Sequence, residues 1–208
     1  MARTPSNTDL ALGTTCPAFE LKDVLSDRGI GRDDIFGGPD DLTERRGLLV
    51  LFVCVHCPFV MHMEKALTAL LAKYADRIAA VAIMSNDILE HPEDGPDFMR
   101  EQATRLGWDK LGIPYLLDST QETAREFHAA CTPDLYLFDT NYELTYHAQF
   151  DRTRPYRDSD AKNGLERHPE IHAEAHGADL EAAIQALLTN QPPIAPQSPS
   201  LGCNIKWR

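Results

Sequence analysis

The stretch from residue 48 to residue 84 constrains the fold of this chain more than any other. Two continuous apolar runs of strand length, Leu48–Val53 and Ile78–Met84, flank a segment in which apolar residues recur at helical spacing. Continuous apolar runs are typical of central strands that are covered on both faces. A strand, a helix and a second strand in this order predict a βαβ unit with parallel strands, and therefore an α/β protein.

Weaker patterns complete the order of elements around this unit. Before the unit, they predict a strand at 19–24 and a loop with one short strand at 26–46. After the unit, they predict a helix at 97–106, a short strand at 115–118 and a helix at 120–129 that is capped by Ser119 or Thr120. The rest of the chain is predicted to form a hairpin of 135–138 with 144–150, an irregular segment at 151–176 and an amphipathic helix at 180–188. The order βαβ, helix, hairpin, helix predicts a thioredoxin fold, a central mixed sheet flanked by helices, with an N-terminal strand extension. We expect a domain of residues 1–190 and an extended, proline-rich C-terminal tail of residues 191–208 that packs on or near it.

Cys54 and Cys57 form a Cys-x-x-Cys pair at the end of the first apolar run and the start of the following helix. Free backbone amides and the helix dipole at this place favour a thiolate, and thiol pKa values in such pairs fall from about 8.5 to about 3.5–7.5. We expect Cys54 to be the exposed nucleophile and Cys57 the resolving thiol. His56 would favour the Cys54 thiolate when protonated, and Pro58 suits the first turn of a helix.

The chain is strongly acidic, with a formal net charge of −12, which disfavours nucleic acid and anionic membranes as partners. No apolar run approaches the ~18 residues of a membrane-spanning helix, and the N-terminal residues lack the apolar stretch of a secretion signal. We therefore expect a cytoplasmic protein.

In a reducing compartment an odd set of cysteines is not a disulfide scaffold, and at least one pair is free to cycle between thiol and disulfide. The cysteines are Cys16, Cys54, Cys57, Cys131 and Cys203.

The region of the cysteine pair also suggests a metal-binding alternative. Cys54, His56, Cys57 and His62 offer the sulfur and nitrogen ligands that zinc prefers. Against this alternative, the adjacent side chains of His56 and Cys57 do not easily point at one ion held by Cys54, and the chain has no second Cys-x-x-Cys motif. We therefore favour redox chemistry and expect neither a metal nor another cofactor.

Five motifs occur in order along the chain: Leu12–Leu21, Cys54–Pro58, Ser85–Asp87, Cys131–Asp134 and Pro199–Trp207. In these motifs the chain resembles the thioredoxin-like superfamily, and within it the peroxiredoxin-like branch related to alkyl hydroperoxide reductase and thiol-specific antioxidant proteins. The resemblance implies that Thr132 and Pro133 form a cis-proline turn that faces the cysteine pair and helps to bind an extended substrate segment. Cys131 would then lie near the pair, either as a redox thiol or as a small buried residue.

The chain departs from true peroxiredoxins at their active-site motif, Pro-x-x-x-Thr-x-x-Cys. With the final cysteine aligned to Cys57, this chain has Val50 in place of the proline and Cys54 in place of the threonine. The hydroxyl group that positions peroxide is therefore missing, which favours thiol–disulfide exchange over peroxide reduction. Arg152 or Arg154 would stabilise a thiolate if the polar loop that carries them folds over the site.

The predicted function is that of a thiol–disulfide oxidoreductase that uses Cys54 and Cys57 as a dithiol–disulfide pair. The alternatives are an antioxidant thiol peroxidase that reduces hydroperoxides, and a non-enzymatic metal-binding or carrier module. The expected partners are a protein or small-molecule disulfide, or a hydroperoxide, and a thiol electron donor; the oligomeric state stays open. Cys203 is either a mobile thiol that resolves an oxidised Cys54 or a residue packed against the domain, and we favour packing.

Overall fold

The computed structural model describes residues 3–38 and 43–208, so residues 39–42 of the loop predicted at 26–46 lie outside the described part. The strands are β1 (Arg3–Pro5), β2 (Glu20–Asp23), β3 (Gly29–Gly31), β4 (Leu48–Phe52), β5 (Ala79–Met84), β6 (Tyr115–Leu117), β7 (Cys131–Thr132), β8 (Asp134–Phe138), β9 (Leu144–His147) and β10 (Leu201–Asn204). The helices are α1 (Arg32–Ile35), α2 (Pro58–Tyr74), α3 (Pro96–Leu106), α4 (Trp108–Leu111), α5 (Glu122–Glu126), α6 (Asp158–Lys162) and α7 (Ala178–Leu188). Within the described ranges, no helix combines the length and the apolar character needed to cross a membrane.

The main sheet has the strand order β3–β2–β6–β5–β4–β8–β9. β4 runs parallel to β5 through α2, with Leu48 opposite Ala79 and Phe52 opposite Ile83, which confirms the predicted βαβ unit. β5 is parallel to β6, whereas β8 and β9 form the predicted antiparallel hairpin at one side of β4. This mixed sheet with helices on its faces is the predicted thioredoxin fold.

The central strand β4 is buried along its whole length and separates two apolar clusters, because side chains alternate between the faces of a sheet. Leu49 and Leu51 belong to the cluster that also contains the buried sides of α2, α3 and α7. Val50 and Phe52 belong to the other cluster, in which Phe127 packs at their side of the sheet. Full burial of a side chain of this size stabilises the fold by about 1.5–3 kcal/mol. β4 is thus fixed from both sides immediately before the cysteine pair.

A second, smaller sheet joins segments that are far apart in the sequence. β10 pairs antiparallel with β1 on one side and with β7 on the other. Cys203 lies opposite Arg3 in the first pairing and opposite Thr132 in the second. The tail predicted at 191–208 thus contains a paired strand, while its separation from the domain at residue 190 stays a prediction.

Local details differ from the sequence-based prediction at the start of α5. Gln121 is its N-cap residue, and not Ser119 or Thr120. The Ala124 amide donates a hydrogen bond of 2.9 Å to the Asp118 carboxylate. Asp118 therefore supplies one acceptor at this helix start, and the Thr120 hydroxyl accepts the Glu122 amide at 3.4 Å although Thr120 is not the N-cap residue.

The short helices α1 and α6 fall in segments predicted as loop and irregular chain. Each is about one turn long, which is too short for a periodic apolar pattern to indicate it. The second strand of the hairpin also ends earlier than predicted, at His147 and not at Phe150. Beyond it, the Gln149 amide donates to the Ser198 carbonyl of the tail at 2.9 Å.

Candidate active site

Cys54 and Cys57 lie between the end of β4 and the start of α2. Cys57 is the N-cap residue of the helix, and Pro58 occupies a first-turn position where proline costs no helical hydrogen bond. The Cys57 carbonyl accepts the Met61 amide at 2.9 Å. Val60 lies in the first turn of α2, where backbone amides have no helical partner and favour negative charge on a nearby sulfur.

The loop between the two cysteines is held by Asp94, which is fully buried. Asp94 Oδ1 accepts the Val55 amide at 2.9 Å and the His56 amide at 3.4 Å. Its other oxygen accepts the Asn86 side-chain amide at 2.7 Å. Burial by itself raises the pKa of Asp94, but His56 and Asn86 outweigh it and the pKa falls below its usual range. The sequence prediction missed Asp94, because one of several acidic residues in a polar segment carries no signal of burial.

The imidazole of His56 is paired with the carboxylate of Asp94. Its Nδ1 lies 2.8 Å from Asp94 Oδ2, as a close ion pair without hydrogen-bond alignment, and 3.8 Å from Glu93 Oε1. The Asp94 carboxylate raises the pKa of His56 above its usual value. The positive charge of a protonated His56 is therefore balanced by Asp94, which weakens the predicted support for a thiolate on Cys54.

The turn at Thr132 and Pro133 lies against both sulfurs, and its peptide bond is cis, in agreement with the expectation. The Thr132 hydroxyl is 3.3 Å from Cys54 Sγ. The Thr132 carbonyl is 3.0 Å from Cys57 Sγ and accepts its proton when the thiol is neutral. Backbone and side chain of one residue thus contact the two cysteines separately.

Cys131 precedes this turn and is fully buried. Its sulfur donates to the Pro133 carbonyl, with 3.5 Å between the atoms. Burial raises the pKa of Cys131 far above its usual range, and the nearby Asp134 carboxylate raises it further. This environment keeps Cys131 protonated and is that of a small buried residue.

The charge on the cysteine pair differs from the sequence prediction. Hydrogen bonding with Cys57 and burial raise the pKa of Cys54, and the negative charge of Asp94 raises it further. Burial also raises the pKa of Cys57, but hydrogen bonds from Cys203, from Cys54 and from the Val60 amide outweigh it, and the pKa of Cys57 falls far below its usual range. The direction of these shifts favours a thiolate on Cys57, while the attack by a Cys54 thiolate stays a prediction.

The expected exposure of Cys54 is wrong. Its exposed fraction is 1% and that of Cys57 is 0%. Strand β10 packs against α2, and its Cys203 belongs to the same apolar cluster as Cys54 and Cys57. A cavity of about 20 Å³ extends to Pro133, but neither Cys54 nor Cys57 is among the described residues that line this cavity. Substrate access therefore requires a movement of the chain around the thiols.

The arginine that acts on the thiols is Arg157, and neither Arg152 nor Arg154. The Arg157 guanidinium interacts electrostatically with Cys57 and Cys203, and its Nη2 is 3.0 Å from Asp160 Oδ1. Arg154 instead donates to carbonyl groups of its own loop and to Gln149, and Arg152 is exposed. The sequence prediction identified the polar loop but chose the wrong arginines within it.

The ligand set of the metal alternative does not assemble. His62 turns away to Thr153 Oγ1, 3.0 Å from its Nε2. Among the described residues, two other groups have ligand atoms within 4.8 Å of one another. They are Cys54, His56 and Asp94, and His56, His91 and Glu93.

The fold and the cysteine pair at a helix start define a thioredoxin-like protein. Residues 12–147 match the AhpC/TSA family, and the chain belongs to this family. Membership supports a redox activity toward thiols, disulfides or peroxides in general terms. No curated protein matches the chain.

Two solved structures are similar over nearly the whole chain. An uncharacterised conserved protein from Geobacillus kaustophilus is 35% identical, with a TM-score of 0.82, and the match covers 100% of this chain and 97% of that one. A hypothetical protein from Sinorhizobium meliloti 1021 is 34% identical, with a TM-score of 0.81 and coverage of 99% and 98%. Peroxidoxin BcpB from Mycobacterium tuberculosis shares the fold at 13% identity, with a TM-score of 0.55 and coverage of 86% and 96%.

Proposed function

We propose that this protein is a thiol–disulfide oxidoreductase whose working group is the Cys54–Cys57 pair. The observation that carries the proposal is that both sulfurs lie against Thr132 at the start of α2, Cys54 Sγ 3.3 Å from its hydroxyl and Cys57 Sγ 3.0 Å from its carbonyl oxygen. A dithiol in this arrangement closes to a disulfide with little rearrangement, because both sulfurs lie against one residue and belong to one Cys-x-x-Cys motif. The substrate is a protein or small-molecule disulfide, and a thiol donor restores the reduced pair.

The reaction begins with the thiolate on Cys57, which attacks one sulfur of the substrate disulfide. The other substrate sulfur leaves as a thiolate and takes up a proton. Cys54 then loses its proton and attacks the Cys57 sulfur of the mixed disulfide, which releases the second substrate thiol. In total, two electrons pass from the cysteine pair to the substrate, while Cys54 supplies one proton and the solvent supplies the other. The Thr132 hydroxyl, 3.3 Å from Cys54 Sγ, holds the second thiol in place for its attack.

The charge on Cys57 favours thiol peroxidase activity as a second candidate. Cys57 occupies the position of the peroxide-reducing cysteine in the family motif, and its pKa is strongly lowered. A thiolate there would attack one oxygen of a hydroperoxide and release an alcohol, or water from hydrogen peroxide. The sulfenic acid on Cys57 would then react with the Cys54 thiol to give the disulfide and water.

Reduction of insulin disulfides by the full chain tests the proposal, with dithiothreitol as the thiol donor and no added cofactor. We expect Cys54→Ser and Cys57→Ser to lose at least about tenfold in rate. Cys16→Ser is the matched control, because Cys16 is buried in the cluster on the opposite face of β4, and burial raises its pKa to about 12. Equal rates in all four proteins would reject the assignment. Peroxide consumption without insulin reduction would select the second candidate.

A further inference from the structure

We propose that Cys203 is a third redox-active thiol, which exchanges with a Cys54–Cys57 disulfide to form a disulfide between Cys57 and Cys203. This inference rests on the proposed function, since it requires that the first disulfide forms. It gives strand β10 a chemical role in addition to its role as the cover of the site.

The geometry places Cys203 beside the cysteine pair. All three cysteines belong to one apolar cluster, and although burial raises the pKa of Cys57, the thiols of Cys203 and Cys54 lower it. The register of β10 on β7 sets Cys203 opposite Thr132, whose carbonyl is 3.0 Å from Cys57 Sγ. Disulfide exchange needs a thiol that can reach the sulfur under attack, and this register places Cys203 next to the residue on which that sulfur lies.

Close approach of β10 depends on a residue without a side chain. A Cβ atom on Gly202 would lie 2.1 Å from the Thr132 carbonyl oxygen and 2.5 Å from its carbon. Real Cβ atoms do not approach backbone so closely, so another residue here would push β10 away from the turn. The adjacent Cys203 reaches Cys57 because Gly202 lets the strands meet.

Hydrogen bonds on both sides of β10 hold Cys203 in this place. Before the strand, the Ser200 amide donates to Ser6 Oγ at 3.0 Å. After it, the Lys206 amide donates to Asn86 Oδ1 at 2.9 Å, and the Arg208 amide donates to Gln121 Oε1 at 2.9 Å. These hydrogen bonds fix the position of Cys203 opposite Thr132, beside the cysteine pair.

The exchange step conserves atoms and electrons. The Cys203 thiolate attacks the Cys57 sulfur, the bond between Cys54 and Cys57 breaks, and Cys54 leaves as a thiolate. The proton that Cys203 loses is available to Cys54. One disulfide is present before and after the step, so no further oxidant or reductant is consumed.

Oxidation of Cys54 and Cys57 to a disulfide makes the Cys203 thiol easier to deprotonate. While Cys57 is a thiolate, its hydrogen bond and negative charge raise the pKa of Cys203 far above the usual range, together with burial. In a disulfide Cys57 has no charge, so this effect disappears. Lys206 and Arg157, which lower the pKa of Cys203, remain in place. Cys203 is therefore easier to deprotonate once the first disulfide has formed.

Disulfide mapping after limited oxidation tests the proposal. The full chain is treated with one equivalent of diamide, which oxidises two thiols to a disulfide, then quenched in acid, alkylated and digested for mass spectrometry. In the wild type and in the Cys16→Ser control we expect both the Cys54–Cys57 and the Cys57–Cys203 peptides, with yields within about tenfold of each other. Cys203→Ser should give the Cys54–Cys57 peptide alone, and Cys54→Ser the Cys57–Cys203 peptide alone.

Separate outcomes overturn the two proposals. Formation of the Cys54–Cys57 disulfide with Cys203 fully alkylated in the wild type would reject the role of Cys203 and leave the proposed function intact. Absence of both disulfides in the wild type would reject the proposed function and this inference with it. Because the wild-type map decides between these outcomes, the test holds even where the Cys54→Ser variant does not fold.

Discussion

Asp94 Oδ1 accepts a 2.9 Å hydrogen bond from the Val55 amide, so a buried carboxylate from a distant loop holds the chain between the two cysteines. The same carboxylate forms the ion pair with His56 at 2.8 Å. Backbone position and local charge at the Cys-x-x-Cys motif are thus set by one side chain. This arrangement leads to the first prediction.

Asp94→Asn should lower the pKa of His56 toward its usual value of about 6.5, because the variant keeps an acceptor for Val55 but removes the negative charge. A raised pKa in the folded state contributes stability below the unfolded pKa, and this contribution is lost as the pH rises through the folded pKa. The free energy of unfolding of the wild type should therefore be higher than that of the variant, and this difference should be largest below about pH 6.5. NMR titration of the imidazole and urea unfolding across this pH range measure both effects. Asp97→Asn, at an exposed ion pair with Arg100, is the control and should change neither.

The alkylation rate of Cys57 in the Cys54→Ser variant should change little between about pH 8 and about pH 5, because a thiolate is the reactive form and the pKa of Cys57 is strongly lowered. In Cys57→Ser, burial and the charge of Asp94 still keep the pKa of Cys54 high, so its rate should fall about tenfold per pH unit. Iodoacetamide labelling with mass analysis of each peptide gives these rates, and glutathione provides the reference slope of an ordinary thiol. Identical pH profiles for the two variants would contradict the placement of the charge on Cys57.

Gly202→Ala should detach β10 from the turn at Thr132, since the added methyl group meets backbone atoms that have no room to move. We expect the reaction of Cys54 and Cys57 with a thiol reagent to accelerate by at least about tenfold, because local opening governs the reactivity of covered groups. Gly29→Ala is the matched control. Its added Cβ would lie 3.2 Å from the end of the Glu20 side chain, which is free to swing aside. Unchanged labelling in Gly202→Ala would show that β10 is not the cover of the thiols.

Phe52→Ala should lower the free energy of unfolding by about 3–5 kcal/mol, because it leaves a cavity in a fully buried aromatic cluster. The Phe52 ring packs edge to face on Phe127 and Tyr136, with centroids 5.3 Å and 5.8 Å away. Phe98→Ala, at a side chain that is 48% exposed, should change stability by no more than about 0.5 kcal/mol. Urea unfolding of both variants provides the comparison, and a loss of less than about 1 kcal/mol for Phe52→Ala would contradict the packing described here.

The elements around β4 could be predicted because their signals are local. The apolar run of β4 and the helical spacing of α2 each depend on residues that are neighbours in sequence, and α2 begins at Pro58 as its motif indicates. The turn at Pro133 could be predicted from the family resemblance, since nothing in its composition alone indicates a cis bond.

The burial and charge of the site could not be predicted, because they arise from contacts between distant segments. Cys54 was expected to be exposed, yet it is buried in a cluster that includes Cys203, about 150 positions further along the chain. The lowered pKa of Cys57 depends partly on Cys203, and the local charge depends on Asp94. Prolines in the tail obscured the short strand at Leu201–Asn204, which is stabilised by pairing on both of its edges.

The pairing of Arg3 with Cys203 has a consequence for how the protein matures. Contacts between residues so far apart in sequence form slowly, because a very long stretch of chain must be brought together first. The βαβ unit that carries Cys54 and Cys57 is assembled from much closer segments. We therefore expect newly made chains to form the βαβ unit before β10 pairs, so that an oxidant present in this interval reaches both sulfurs.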